Sequence, residues 1–174
     1  MILIALGSNL AAGPWGSPAD VCLAALDRLD ALGIGVRALS RFYETAPVPI
    51  SDQPWFVNAM VSVDCALSAG LLLARLHQVE AEFGRVRRAV NEARVLDLDL
   101  IDYNGALQAE APVLPHPRLG GRAFVLYPLR DLAPDWHHPV DGRSVGELIA
   151  ALPPEQAIRP LSPQPTRHGG AALP

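Results

Sequence analysis

The segment Val95-Leu96-Asp97-Leu98-Asp99-Leu100 constrains this chain more than any other stretch. Side chains alternate along a strand, so Leu96, Leu98 and Leu100 point one way and Asp97 and Asp99 the other. The leucine face demands a packed core. The opposite face carries two like charges at i, i+2, which repel, in a residue type that strands disfavour. Something must offset that cost. Two carboxylates so spaced can share a pair of Mg²⁺ ions, about 3.5–4 Å apart in two-metal sites. Magnesium takes one or two carboxylates and leaves its other positions to water and substrate phosphates. An edge strand whose aspartates merely face water is the plain alternative.

The neighbourhood favours the metal. Arg85, Arg87, Arg88 and Arg94 crowd the stretch just before the acids. Arginines that clamp phosphate oxygens beside metal-holding carboxylates suit a polyphosphate. Cations at a helix end also favour the helix dipole, which accounts for Arg85 and Arg87 but not for Arg94 so close to Asp97.

Strand 2–7, Met1 aside, opens the chain and breaks at Gly7-Ser8-Asn9, where a ligand could approach the backbone closely. Ser17-Pro18-Ala19-Asp20 starts a helix, with a serine cap, proline at the first helical position and an acid in the first turn. Leu23, Leu26, Leu29 and Leu32 continue it to Gly33. Residues 34–45 and 55–63 read as extended, the second with Val57, Ala59, Val61 and Val63 on one face. Ser68 opens a helix carrying Leu72, Leu76, Val79 and Phe83, closed by Gly84. The strand at 95–103 ends in Asn104-Gly105, a type I′ hairpin signal expected to lead into a short partner strand. The order is β-α-β-β-α-β, an α+β, ferredoxin-like arrangement with helices on an antiparallel sheet. C-terminal additions follow: a short helical stretch near 122–132 and a helix at 144–151 with a Ser144/Glu147 capping box. The proline-rich end from Pro153 reads as irregular or mobile. One domain over 1–160 and a tail over 161–174 are expected.

At 174 residues, half of them hydrophobic, the chain can bury a real core. Its net charge of −4 argues against nucleic acid and anionic membranes as partners. The first apolar run is too short to span a bilayer. All fourteen basic residues are arginines, so neither P-loop nor Schiff-base lysine chemistry is available. Cys22 and Cys65 lie in apolar segments with no base beside them, which suits a reducing cytosol and speaks against thiol catalysis. His77, His137 and His138 lack ligand spacing and read as structural.

In Trp55-Phe56-Val57-Asn58, alternation sets Phe56 and Asn58 opposite the valines. A stacking ring and an amide make a minimal reader for a flat heterocycle, although ordinary packing of Phe56 under a helix is the simpler reading of these two alone. Phe124 is the best second aromatic for a sandwich, and Thr45, Pro47 and Pro49 form a rigid loop beside it.

Six stretches together resemble the 6-hydroxymethyl-7,8-dihydropterin pyrophosphokinases of the folate pathway. They are Ala5-Leu6-Gly7-Ser8-Asn9-Leu10, Phe42-Tyr43-Glu44-Thr45, the run from Asp52 to Ala59, Gly84-Arg85-Val86-Arg87, Arg94 to Asp99, and Pro115-His116 with Gly121-Arg122-Ala123-Phe124. The resemblance implies transfer of pyrophosphate from ATP, the co-substrate, to the pterin hydroxymethyl group, leaving AMP. It assigns both Mg²⁺ ions to Asp97 and Asp99, with Arg85 and Arg94 also catalytic. It assigns ATP to Arg85, Arg87, Arg94, His116 and Arg122, with Glu80 bordering the site. It assigns the pterin to Gly7, Thr45, Ala46, Val48, Phe56, Asn58 and Phe124. A cytoplasmic monomer is expected. The competing classes are a ferredoxin-like regulatory module that binds a small molecule without turnover, and another two-metal Asp-x-Asp transferase.

Overall fold

A computed structural model describes residues 1–47, 51–85 and 94–167. Strand β1 (Ile2–Ser8) leads through a 3-10 turn at Gly13–Trp15 into helix α1 (Pro18–Ala31). Strands β2 (Gly35–Leu39), β3 (Tyr43–Thr45) and β4 (Phe56–Asp64) precede helix α2 (Ala69–Glu82) and strand β5 (Asp97–Tyr103). Helices α3 (Ala123–Leu132) and α4 (Val145–Ala150) and strand β6 (Ile158–Pro160) complete the described chain.

The local signals for the helices act as expected. Ser17 and Asp20 form a reciprocal capping box at α1, Ser144 and Glu147 another at α4, and the Ser68 hydroxyl accepts the Leu71 N–H at α2.

The sheet runs β5-β1-β4-β3-β6, with β2 also paired to β4, and every described pairing is antiparallel. Strands β2 and β3 share one edge of β4, one at Val61–Asp64 and the other at Phe56–Asn58. The expected extended stretch 34–45 is therefore one sheet position broken in two, and the β-α-β-β-α-β ferredoxin-like order holds.

Each face of the sheet has its own core. On one, Ile4, Leu6, Ala59, Val61, Leu98 and Leu100 pack under α1 and α2. Leu96, Leu98 and Leu100 are each at most 4% exposed, and burying one such side chain stabilises by about 1.5–3 kcal/mol. On the other face Leu3, Ala5, Met60 and Ile101 pack against α3 and α4. The two long helices cover the first face broadly. The second is covered only toward one end, and its uncovered end carries the polar residues of β1, β4 and β5.

Two expectations fail. Asn104 and Gly105 do take positive φ, 55° and 71°, as a type I′ turn requires. No partner strand follows among the described residues: Gln108 and Leu114 bridge each other, and the His116 N–H reaches the Ile101 carbonyl alone. A cis Ala111-Pro112 and a cis Leu114-Pro115 lie in that return, where proline cannot donate to a ladder. The proline-rich stretch 153–167 also makes long-range pairings that an irregular or mobile segment would lack. β6 pairs with β3, the Leu161 N–H donates to Phe42 O at 2.8 Å, and Arg167 pairs with Asp27 and Asp30. Those partners are more than a hundred residues distant in sequence, beyond any local signal.

Candidate active site

The uncovered end of the sheet opens into a cavity of about 770 Å³. Its floor follows from strand register. Gly7 on β1 stands opposite Asn58 on β4 and opposite Asp97 on β5. A Cβ built on Gly7 would lie 2.9 Å from Asn58 Oδ1 and 3.9 Å from Asp97 Cβ, so a side chain there would have to displace the Asn58 amide. Adjacent strands are about 4.8 Å apart, which puts the Asn58 and Asp97 backbones only two such spacings from each other. Asp99 follows on the same face, opposite Ala5.

One end of the cavity is densely charged. Arg85, Arg94, Arg118 and Arg122 line it with Asp97 and Asp99. Arg85 pairs with Asp97 and with Glu80, Arg94 Nη1 lies 2.9 Å from Asp97 Oδ2, and Arg122 Nη1 lies 3.6 Å from Asp99 Oδ2. The two aspartate side chains are a quarter to a third exposed, so the like-charged pair is open to the cavity and already balanced by arginine. Burial pushes the Arg122 guanidinium below its usual value, as does Arg118, against the pull of Asp99 and Asp97.

Glu80 supports this wall from behind. It is 2% exposed, and its Oε1 accepts the Leu98 N–H at 2.8 Å while pairing with Arg85. Because β5 is a sheet edge, that bond satisfies a backbone donor between the two aspartates and holds their register. Glu80, expected at the ATP border, is not among the lining residues and pairs with Arg85, which is. His116 is half-buried and adjoins Pro117 and Arg118, which line the cavity. Burial lowers its pKa against the attraction of Asp99, with Arg122 and Arg118 adding to the lowering. Its Nδ1 accepts the Arg118 N–H at 3.2 Å, an arrangement for a neutral ring protonated on Nε2.

The other end carries more neutral groups, although the Arg122 guanidinium lies over the Phe124 ring, 5.3 Å from its centroid. Phe56 lines it from β4 and Phe124 from the start of α3, with Thr45, Ala46 and Pro47 between. The Asn58 Nδ2 donates to Thr45 Oγ1 at 2.7 Å, a buried bond that fixes the amide. The Ala46 N–H is given to Ala157 O at 3.2 Å. Val48 and Arg87, also expected in the site, lie outside the described residues.

Several residues at this wall had no binding role assigned from the sequence. His77, read as structural, lines the cavity from α2, as do Ser51, Gln53 and Gly121 from loops. Asn9, 2% exposed, ties the two ends together. Its Oδ1 accepts the Arg94 N–H at 2.9 Å, and its Nδ2 donates to Gln53 Oε1 and Pro54 O at 3.3 and 3.2 Å.

Residues 3–134 match the model of the family described as 7,8-dihydro-6-hydroxymethylpterin-pyrophosphokinase (HPPK). The chain belongs to this family. It is 43% identical over 155 residues to a 2-amino-4-hydroxy-6-hydroxymethyldihydropteridine pyrophosphokinase of Pseudomonas aeruginosa, covering 87% of this chain and 91% of that one. A protein of the same name from Methylorubrum extorquens is 40% identical, covering 87% and 92%. The folic acid synthesis protein fol1 of Pneumocystis carinii is 36% identical over 93% of this chain, which spans only 21% of that longer protein. The match to the HPPK model stops before α4 and β6, although β6 pairs with the wall that carries Thr45.

Proposed function

We propose that this chain transfers the β,γ-diphosphate of ATP to 6-hydroxymethyl-7,8-dihydropterin, giving AMP and the pterin diphosphate for folate synthesis. The observation that carries the reading is the register of Gly7 between Asn58 and Asp97, which sets a ring-reading amide beside a carboxylate pair. Phe56 and Phe124 sandwich the pterin, while Asn58 reads its edge with the backbone around Thr45, Ala46 and Val48, and Gly7 admits the ring close to β1. Arg85, Arg87, Arg94 and Arg122, with the His116 Nε2–H, hold the triphosphate.

The hydroxymethyl oxygen forms a bond to the β-phosphorus, and the bond from that phosphorus to the oxygen bridging to the α-phosphate breaks. AMP leaves with the bridging oxygen, and the hydroxyl proton passes to water. Such transfer asks mainly for alignment and charge neutralisation. Asp97 and Asp99 fit two Mg²⁺ ions by residue type, spacing and exposure to the cavity. Bound there, Mg²⁺ would neutralise phosphate oxygens and make the hydroxyl more acidic. Arginines now paired with the aspartates exchange onto phosphate oxygens, releasing carboxylate oxygens for metal.

Two free thiols, Cys22 pushed up to about 12 by burial, suit a reducing cytoplasm. Purified protein with ATP, Mg²⁺ and the pterin is expected to form AMP and pterin diphosphate in equal amounts. Formation of ADP, or no AMP at all, overturns the reading.

A further inference from the structure

Helix α3 begins without a cap of its own. Arg122 occupies the N-cap position and makes no side-chain capping bond, so the first N–H groups need partners from elsewhere. Gln156 supplies one from 33 residues downstream. Its Oε1 accepts the Ala123 N–H at 2.9 Å, and its Nε2 donates to the Gly121 carbonyl, also at 2.9 Å. The two bonds flank Arg122 and lead directly into Phe124, both on the cavity wall.

The residues after Gln156 grip the opposite wall. The Ala157 carbonyl accepts the Ala46 N–H, and Ile158 pairs with Thr45. Three consecutive residues therefore span from the Phe124 wall to the Thr45–Ala46 wall. We propose that Gln156 is a positioning residue that sets the separation of these walls and thereby the affinity for the flat substrate. Gln156 itself does not line the cavity. The amide is suited to this because it both donates and accepts; a carboxylate keeps the bond to Ala123 and opposes the Gly121 carbonyl.

The inference rests on the pterin reading of the cavity, and the wild-type protein tests that reading first, by forming AMP. In an active wild-type background, Gln156→Ala is expected to raise the pterin KM roughly fivefold to tenfold, with kcat within about twofold. Gln156→Glu, nearly the same size, should raise it comparably. Thermal midpoints recorded alongside separate packing from positioning, since loss of folded protein lowers the apparent kcat and leaves KM in place. If both variants keep the wild-type pterin KM, or if only kcat falls, Gln156 is a structural brace and the proposal is wrong. If Gln156→Ala does not fold, the pterin KM of Gln156→Glu decides alone.

Discussion

At the phosphate end of the cavity Asp97 is paired with Arg85 and Arg94 and Asp99 with Arg122, whereas at the ring end Asn58 is fixed by Thr45 beside two aromatic side chains. The first end consists of charged pairs that are partly open to the cavity. The second is built mainly of neutral groups, with the Arg122 guanidinium reaching over the Phe124 ring. That difference suits the two substrates proposed for them. A polyphosphate brings its own charge and counterions, and the protein must hand over partners to receive it. A flat ring offers faces and edge polar groups, and affinity for it comes from a slot that need not rearrange.

The comparison breaks most plainly at the acids. Asp97→Ala or Asp99→Ala is expected to reduce kcat by on the order of 10³-fold, about 4 kcal/mol of transition-state stabilisation. The far-UV circular dichroism should be unchanged, because both side chains are partly exposed. AMP release at more than a tenth of the wild-type rate would place the metal elsewhere. Next is the support behind that end. Glu80→Ala leaves the Leu98 N–H and Arg85 without their shared partner and should destabilise the fold by about 3 kcal/mol in urea denaturation. An unchanged midpoint would mean the register of β5 is held by its pairing with β1 alone.

At the ring end the effects should be smaller and fall on one substrate. Phe56→Ala removes a stacking face and should raise the pterin KM roughly 10- to 100-fold while the ATP KM stays near wild type. Equal changes in both would show that the ends are not separate. Thr45→Val deletes the acceptor that fixes Asn58, a loss of about 1 kcal/mol, visible as a pterin KM several-fold higher. No change would mean that the Asn58 amide is oriented by other contacts.

The same division explains what could be read from the sequence. Phosphate-end chemistry is written in contiguous residues: Arg94, Asp97 and Asp99 lie within six positions, and strand alternation orients them without further information. Ser17, Ser68 and Ser144 announced their helices equally locally. The ring end is assembled from β3, β4 and α3, so Phe56 looks like ordinary packing, and Phe124 only a candidate partner for it, until the fold brings both to one cavity. His77 is an exposed position on α2 whose outlook depends on how that helix lies over the sheet. Gln156 acts across 33 and 35 residues, on Ala123 and Gly121, and β6 pairs with a strand more than 110 residues earlier. Proline content gave a misleading sign for that region, because β6 needs only three residues and lies at the sheet's edge.

The adjacency of the two ends can be measured without turnover. Mn²⁺ substituted for Mg²⁺, with a non-hydrolysable ATP analogue and the pterin bound, should strongly enhance relaxation of the pterin hydroxymethyl protons in NMR. The enhancement should vanish in Asp97→Ala and Asp99→Ala. Bound pterin whose hydroxymethyl protons relax no faster with Mn²⁺ than with Mg²⁺ would contradict the placement of ring slot and carboxylate pair on either side of Gly7.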